Sequence, residues 1–437
     1  MSVINMSNIR RYWSEEYESK IKNTMSINRF EKICEMLHFN DNTKMLPKDH
    51  ADHDRLHKLR PVIDSLNKTF QTVPFEKCLS VDEQMCATKA RHYMKQYMSL
   101  KPHKWGYKLY VLSGVTGYAY QFEIYSGQEN FEKYRFPNEP DLGASANVVI
   151  RLCRSIPKNC NYIVYFDNYY TGIPLMSYLF SNGILSLGTV RRNRLPNCKF
   201  SSDTVFKKKT RGSFEEYVTS FQNTAFASVL WLDNKAVTLL STYMGSSPVQ
   251  EVKRFDKKEK KRVEVSCPNL VLEYNKHMGG VDLLDSILGR YKISMRTRKW
   301  YCRIFYHLVD ITIINAWLFY RRVERQIGTT ATMSMEKFRA EIANCLCNVG
   351  QNDSKKRGRP SSSLNRNLEQ KKKKSSSTAI SPKDVRTDNF GHIPNWSNTR
   401  QRCKIPGCKG FSFIFCEKCK VHLCLNKNKN CFGNFHQ

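Results

Sequence analysis

The chain has 437 residues and carries 71 Lys and Arg against 39 Asp and Glu, a formal net charge of +32. That length allows two or three domains and a sizeable core, and an apolar fraction of 41% excludes a wholly disordered chain. So large a positive balance favours a polyanionic partner, nucleic acid ahead of an acidic membrane surface.

The first residues, Met1-Ser2-Val3-Ile4-Asn5, lack the basic region and apolar stretch of a secretory signal. The most membrane-like segment, 304–320, contains His307, Asp310 and Asn315 and follows Arg303, which predicts a buried helix and no membrane span. Six of the 16 cysteines crowd into the last part of the chain beside histidines. With no secretory signal, such crowding predicts zinc rather than disulfides.

In chain order, residues 1–70 predict two or three amphipathic helices, from Phe30, Ile33, Cys34, Met36 and Leu37 and from Leu56, Leu59, Val62 and Ile63. Residues 77–85 predict a strand, and 107–113 with 118–125 predict a hairpin around a glycine-containing turn. A helix over 146–156, a strand over 162–166, a helix over 173–182 ended by Gly183, and a strand over 184–190 follow. This order is that of an α/β layer with a mixed sheet. Residues 191–242 predict a β-rich insertion, with strands over 214–221, 228–232 and 236–241. Pro268 opens a helix predicted to run through Tyr274 and Met278 towards Asp285, and a second long helix covers 298–325. After Gly350 the composition turns to lysine, arginine and serine, a linker ahead of a last ordered unit. The divisions expected are a helical domain (1–70), an α/β core (71–192), the insertion (193–262), the core's end with the following helices (263–345), the basic linker (346–388) and the cysteine-rich unit (389–437).

Three stretches put a carboxylate at the edge of an apolar run: Leu79-Ser80-Val81-Asp82-Glu83-Gln84-Met85, Tyr165-Phe166-Asp167-Asn168-Tyr169-Tyr170-Thr171 and Met278-Gly279-Gly280-Val281-Asp282-Leu283-Leu284-Asp285. Any one of them read alone is an ordinary turn or cap residue. Together, scarce acid beside apolar segments is costly to desolvate, and metal coordination is a common compensation. Asp82 and Asp167 are expected to close two strands, with Glu83 facing solvent, and Asp282 to lie on a helix. Asp285 follows Asp282 by one turn and shares its side. Mg²⁺ prefers oxygen ligands and keeps several waters, so two or three carboxylates suffice; Mn²⁺ is equally compatible.

Ser80-Val81-Asp82-Glu83-Gln84-Met85, Lys101-Pro102-His103-Lys104-Trp105-Gly106-Tyr107-Lys108, Phe166-Asp167-Asn168-Tyr169-Tyr170-Thr171 and Asn275-Lys276-His277-Met278-Gly279-Gly280-Val281-Asp282, in that order, resemble the piggyBac transposase family over nearly the whole chain. The resemblance implies an RNase H-like catalytic core with a β-rich insertion. It places the family's catalytic aspartates on Asp82, Asp167 and Asp282, with an auxiliary one on Asp285. It further implies cleavage and strand transfer on double-stranded DNA at transposon ends, a TTAA target and a homodimer that pairs two ends. The family usually carries a longer N-terminal part, so the resemblance implies a truncated helical domain. A non-catalytic DNA- or chromatin-binding protein is the alternative. A ubiquitin ligase would leave the aspartate motifs unexplained.

Lys101, His103, Lys104 and Lys108 follow the first strand, Arg191, Arg192 and Arg194 another strand end, and Arg296, Arg298 and Lys299 open the long helix. These are candidate phosphate contacts, and Trp105 and Trp300 candidate stacking platforms or core residues. Arg357-Gly358-Arg359-Pro360 has the form of a minor-groove hook. With Lys371–374 it also reads as a nuclear localisation signal, so a nuclear protein is expected.

In the tail, Cys403, Cys408, Cys416, Cys419, Cys424, Cys431 and His436 offer seven ligands where two tetrahedral Zn²⁺ need eight. His392 and His422 compete for the eighth place; the resemblance favours His392, in Gly391-His392-Ile393-Pro394. The expected partition is interleaved: Cys416, Cys419, Cys431 and His436 on one ion, and Cys403, Cys408, Cys424 and a histidine on the other.

Overall fold

The computed structural model describes residues 6, 8–14, 20–99, 101–127, 135–256, 259–329, 331–349 and 380–437. Up to residue 349 its α-helices are α1 Lys20–Thr24, α2 Ile27–Met36, α3 Arg60–Phe70, α4 Ala144–Cys153, α5 Ile173–Ser181, α6 Asp203–Phe206, α7 Asn269–His277, α8 Gly280–Arg290, α9 Trp300–Gln326 and α10 Met335–Asn348. Up to residue 349 its strands are β1 Cys78–Ala87, β2 Lys95–Tyr97, β3 Trp105–Gly114, β4 Ala119–Ile124, β5 Tyr162–Phe166, β6 Ile184–Thr189, β7 Phe214–Phe221, β8 Thr224–Leu232, β9 Ala236–Ser241, β10 Gln250–Asp256 and β11 Lys261–Cys267. The chain divides into two compact units, Met1–Ser65 with Ile287–Ile380, and Leu66–Ser286 with Ser381–Gln437.

The first unit is helical. Ser26 caps α2 by accepting from the Arg29 N–H, and Ser334 caps α10 by accepting from the Lys337 N–H. Helix α9 is long and apolar enough to cross a membrane by length and composition alone. It instead carries a buried ion pair: Asp310 accepts from Arg339 at 2.5 Å and from the Ile293 N–H at 2.9 Å. The pair is the mark of a core helix, in keeping with the buried helix expected there.

The second unit is built on one mixed sheet. Strands β1, β3 and β4 are antiparallel neighbours, while β5 and β6 run parallel to β1. Helix α4 follows β4, and α5 links β5 to β6, which is the RNase H-like order. Every residue of β5 is buried, as expected of a central parallel strand covered on both faces. Gly183, at φ +69°, ends α5; a Cβ there would lie 2.4 Å from Asn159. Beyond β6 the β-rich insertion continues the same sheet through β9, β8 and β7, all antiparallel.

Two expectations need correction. The single helix expected from Pro268 to Asp285 is two, α7 and α8, broken at Met278-Gly279. Gly280 presses so close to the sheet that a Cβ would sit 2.4 Å from the Gly114 carbonyl and 2.7 Å from Ser80 Oγ, and a straight continuation would not make that approach. The hairpin of β10 and β11 was not foreseen either, although Val263, Val265 and Cys267 alternate with polar residues as a half-buried strand requires. Residues 350–379 of the basic linker lie outside the described residues, Arg357 and Arg359 among them.

Candidate active site and metal centres

Strand β1 presents Cys78, Ser80, Asp82 and Gln84 to one face of the sheet, since side chains alternate along a strand. The parallel ladder between β1 and β5 ends at the pair Val81 and Phe166. Asp167 therefore leaves β5 beside Asp82, in the crevice at the carboxyl end of a parallel strand pair where open α/β sheets bind ligands. Asp82 does not close its strand as expected, because β1 runs on to Ala87 along β3. Glu83 is not the solvent-facing neighbour either. It is buried, and Lys108 Nζ sits 3.1 Å from its Oε1, because this central strand is covered on both faces.

The close approach of Gly280 starts α8 directly over this face. One turn later Gln84 Nε2 donates to Asp285 Oδ1 at 2.8 Å. Asp282 is exposed on the same helix, and the Lys101 ammonium lies 3.5 Å from Asp282 and 3.6 Å from Asp285. Burial pushes the Asp82 carboxyl up to about 7 against the pull of Lys101, and raises Asp167 and Asp285 as well. Tyr274, on α7, is close enough for Asp167, Asp82 and Asp282 all to act on its hydroxyl, though burial is the main cause of its raised pKa.

Four carboxylates are thus turned towards one region, with an ammonium in a cation's position between two of them. An all-oxygen donor set of this kind suits Mg²⁺ or Mn²⁺. The gathering is open: among the described residues, the clusters whose ligating atoms lie within 4.8 Å of one another do not include these aspartates.

The candidate phosphate contacts divide. Lys104 is exposed. Lys101 is directed at the carboxylates, and Lys108 at Glu83 and over the Tyr110 and Tyr169 rings. Arg191 Nε donates to Asn168 Oδ1, whereas Arg192 is held by Asp203 and by the Phe200 and Ser201 carbonyls. Arg296, Arg298 and Lys299 belong to the first unit, where Arg296 and Arg298 are exposed and Lys299 donates to the Glu35 carbonyl. Of the tryptophans, Trp105 is exposed, with Lys95 over its ring. Residue reading missed Gln84 and Tyr274, and it took Arg194 for a phosphate contact. The last donates to the Asn168, Tyr169 and Thr171 carbonyls and so holds the loop after Asp167.

The tail gathers two sets of four ligands: His392, Cys416, Cys419 and His436, and Cys403, Cys408, Cys424 and Cys431. This corrects the expected partition, with Cys431 and a histidine exchanged. Cys431 Sγ lies 3.7 Å from Cys408 Sγ because Asn430 caps the helix Cys431–Phe435 and turns that cysteine back towards the first pair. His392 takes the eighth place, and His422 stacks by Phe415 outside both sets. The donors fit zinc closely. His392 Nε2 donates to Asp388 Oδ1 and the Val385 carbonyl, so its Nδ1 lone pair faces Cys416 at 3.4 Å and Cys419 at 3.6 Å. His436 does the reverse. Its Nδ1 donates to the Phe432 carbonyl, and its buried Nε2 makes no hydrogen bond. The ligands alternate between the sets along the chain, as in a cross-brace.

Comparison with known proteins gives the family and the fold. A family model described as Transposase IS4 matches residues 1–317. PiggyBac transposable element-derived protein 3 of Homo sapiens is 29% identical over 421 residues, covering 95% of this chain and 65% of that protein. PiggyBac transposable element-derived protein 2 of Homo sapiens is 29% identical over 434 residues, covering 98% and 66%. The chain therefore spans slightly less than two thirds of these relatives' length. The cryo-EM structure of piggyBac transposase synaptic complex with hairpin DNA shares the fold, with a TM-score of 0.63 at 19% identity over 97% of this chain and 84% of that one. On the family model matched over residues 1–317, with piggyBac-derived proteins 29% identical along 95% of the chain, this chain belongs to the piggyBac transposase family.

Proposed function

We propose that this chain is a metal-dependent DNA transposase that cuts and rejoins strands at transposon ends. Asp82, Asp167 and Asp282 would hold Mg²⁺ or Mn²⁺, with Asp285 supplementing them. The observation that carries the reading is the parallel pair Val81 and Phe166, which sets Asp82 and Asp167 side by side beneath the helix bearing Asp282 and Asp285. A divalent cation bound there supplies the positive charge that phosphodiester cleavage needs.

The chain's own groups do the positioning. Gln84 fixes the Asp285 carboxylate by donating to it, and Arg194 braces the loop that follows Asp167. Lys101 neutralises Asp282 and Asp285, and where these carboxylates held a divalent cation its ammonium would be available to a phosphate. By likeness to the family, one strand is cut first and the freed 3′-hydroxyl attacks the opposite strand in line to give a hairpin. The structural neighbour's synaptic complex with hairpin DNA supports DNA as the partner. In the same reading two chains pair two ends, joining occurs at TTAA, and the tail's two Zn²⁺ shape a unit that recognises end DNA. The basic stretch from Lys355 to Lys374 directs the protein to the nucleus.

The test is Mg²⁺-dependent nicking and hairpin formation on DNA carrying the flanking element's ends, with wild type beside Asp167→Asn. Cleavage by wild type alone supports the reading. No cleavage by either protein, with zinc-dependent DNA binding intact, replaces it with that of a binding protein.

A further inference from the structure

A third cluster of metal-ligating side chains lies outside both the aspartate site and the tail. Cys78, Glu273 and His277 offer a sulfur, a carboxylate oxygen and an imidazole nitrogen within 4.8 Å of one another. Cys78 opens β1 on the same sheet face as Asp82, and α7 brings Glu273 and His277 over it on successive turns. Within an otherwise apolar helix–sheet contact, polar atoms gather at this one point. The Tyr165 hydroxyl lies 3.7 Å from Cys78 Sγ and 3.3 Å from Glu273 Oε1, and it also meets the Tyr243 hydroxyl at 3.1 Å. His277 Nδ1 lies 3.0 Å from the Glu273 carbonyl and 3.2 Å from its carboxylate, so the ring is oriented by its own helix.

From these contacts we infer that Cys78, Glu273 and His277 form a third zinc site, which pins α7 to the first strand of the core. One thiolate, one imidazole and one carboxylate match the borderline-soft preference of Zn²⁺ and not the all-oxygen preference of Mg²⁺. Three protein ligands leave a fourth position for water. Binding displaces the Cys78 thiol proton to solvent and leaves the metal's oxidation state unchanged. Its consequence is positional, because only Met278 to Val281 separate His277 from Asp282. A clamp at His277 fixes where α8 starts, and with it the placing of Asp282 and Asp285.

The inference is tested on the full chain by counting zinc per chain by elemental mass spectrometry after gel filtration. Three ions per wild-type chain are expected, one for each cluster. Cys78→Ser and His277→Gln should each retain two, with the far-ultraviolet circular dichroism of wild type. Two ions in wild type, or an unchanged count in either folded variant, overturns the site. Should both variants fail to fold, the wild-type count decides, and protection of Cys78 from alkylation, lost on chelation together with one ion, identifies the ligand. A Cys78 alkylated equally before and after chelation overturns it.

Discussion

Asp82 and Asp167 stand side by side because each follows one member of the same buried pair, Val81 on β1 and Phe166 on β5, where the parallel ladder between these strands ends. Strand β1 continues beyond that point along β3, so the two carboxylates flank an opening and not a pleat. Burial holds both above the usual carboxylate range, which means that their negative charge is disfavoured until a cation shares it.

Replacing either aspartate by asparagine removes that unfavourable charge while keeping the shape. Asp82→Asn and Asp167→Asn should therefore melt no lower than wild type in buffer free of divalent ions. Cleavage of end DNA should fall by at least about 100-fold, the scale of losing one group that stabilises transition-state charge. Thermal scans alongside single-turnover cleavage check this; a variant that melts several degrees lower contradicts the account of Asp82.

Lys101 supplies counter-charge to Asp282 and Asp285. Lys101→Met should destabilise the metal-free protein modestly, by about 1 kcal/mol, since Asp282 is exposed and its attraction screened. Added Mg²⁺ should raise the melting temperature of the variant more than that of wild type. An equal rise in both would mean that Lys101 and the cation do not share a position.

Gly280 is where α8 touches the sheet. Gly280→Ala places a methyl 2.4 Å from the Gly114 carbonyl, a backbone atom that cannot swing aside. The helix must lift, at a cost of about 1–3 kcal/mol. Cleavage should suffer out of proportion to stability, because Asp282 and Asp285 ride on that helix. Loss of stability with full cleavage would show that the site does not depend on this approach.

In the helical unit, Asp310 and Arg339 form an ion pair with both side chains almost wholly buried. Removing one partner strands the other: Asp310→Ala should cost about 3–5 kcal/mol in denaturant unfolding. A double replacement by apolar residues of similar volume should recover much of that loss.

His307, on the same long helix, gives a pH dependence. Burial, aided by Lys292 and Arg303, pushes its imidazole down to about 3. The unfolded chain takes up this proton near pH 6.5, and the native state does so only near pH 3. Between those values the unfolded state binds more protons, so stability falls as pH falls, at up to about 1.4 kcal/mol per pH unit. The urea midpoint should drop on acidification below 6.5, with a shallower slope in His307→Gln.

Much of the fold was legible because its signals are local. The strand 162–166 is an unbroken apolar run, Gly183 ends a helix as a left-handed glycine should, and the hairpin turn carries its glycine. What could not be read depends on contacts distant in the chain. The break at Gly279 follows from the approach of Gly280 to Gly114, and the meeting of Lys101 with Asp282 joins residues far apart in sequence. The zinc partition failed for a related reason. Spacing revealed seven ligands and their interleaving, yet only the cap at Asn430 decides which way Cys431 turns. Glu83 was misjudged because alternation along β1 assumes one wet face, and this strand has none.

The order of the tail's ligands has a mechanical result. His392 comes first and His436 last, both in one set, and the four cysteines of the other set fall in the gaps between that set's ligands. Any stretch of chain long enough to complete one set must therefore carry part of the other. A protease that nicks the loop between Cys408 and Cys416 would produce two pieces that stay together until a chelator is added. Trimming from the C-terminus is the opposite case: once His436 is gone, a metal held by its set would no longer tie the end of the unit to the distant His392.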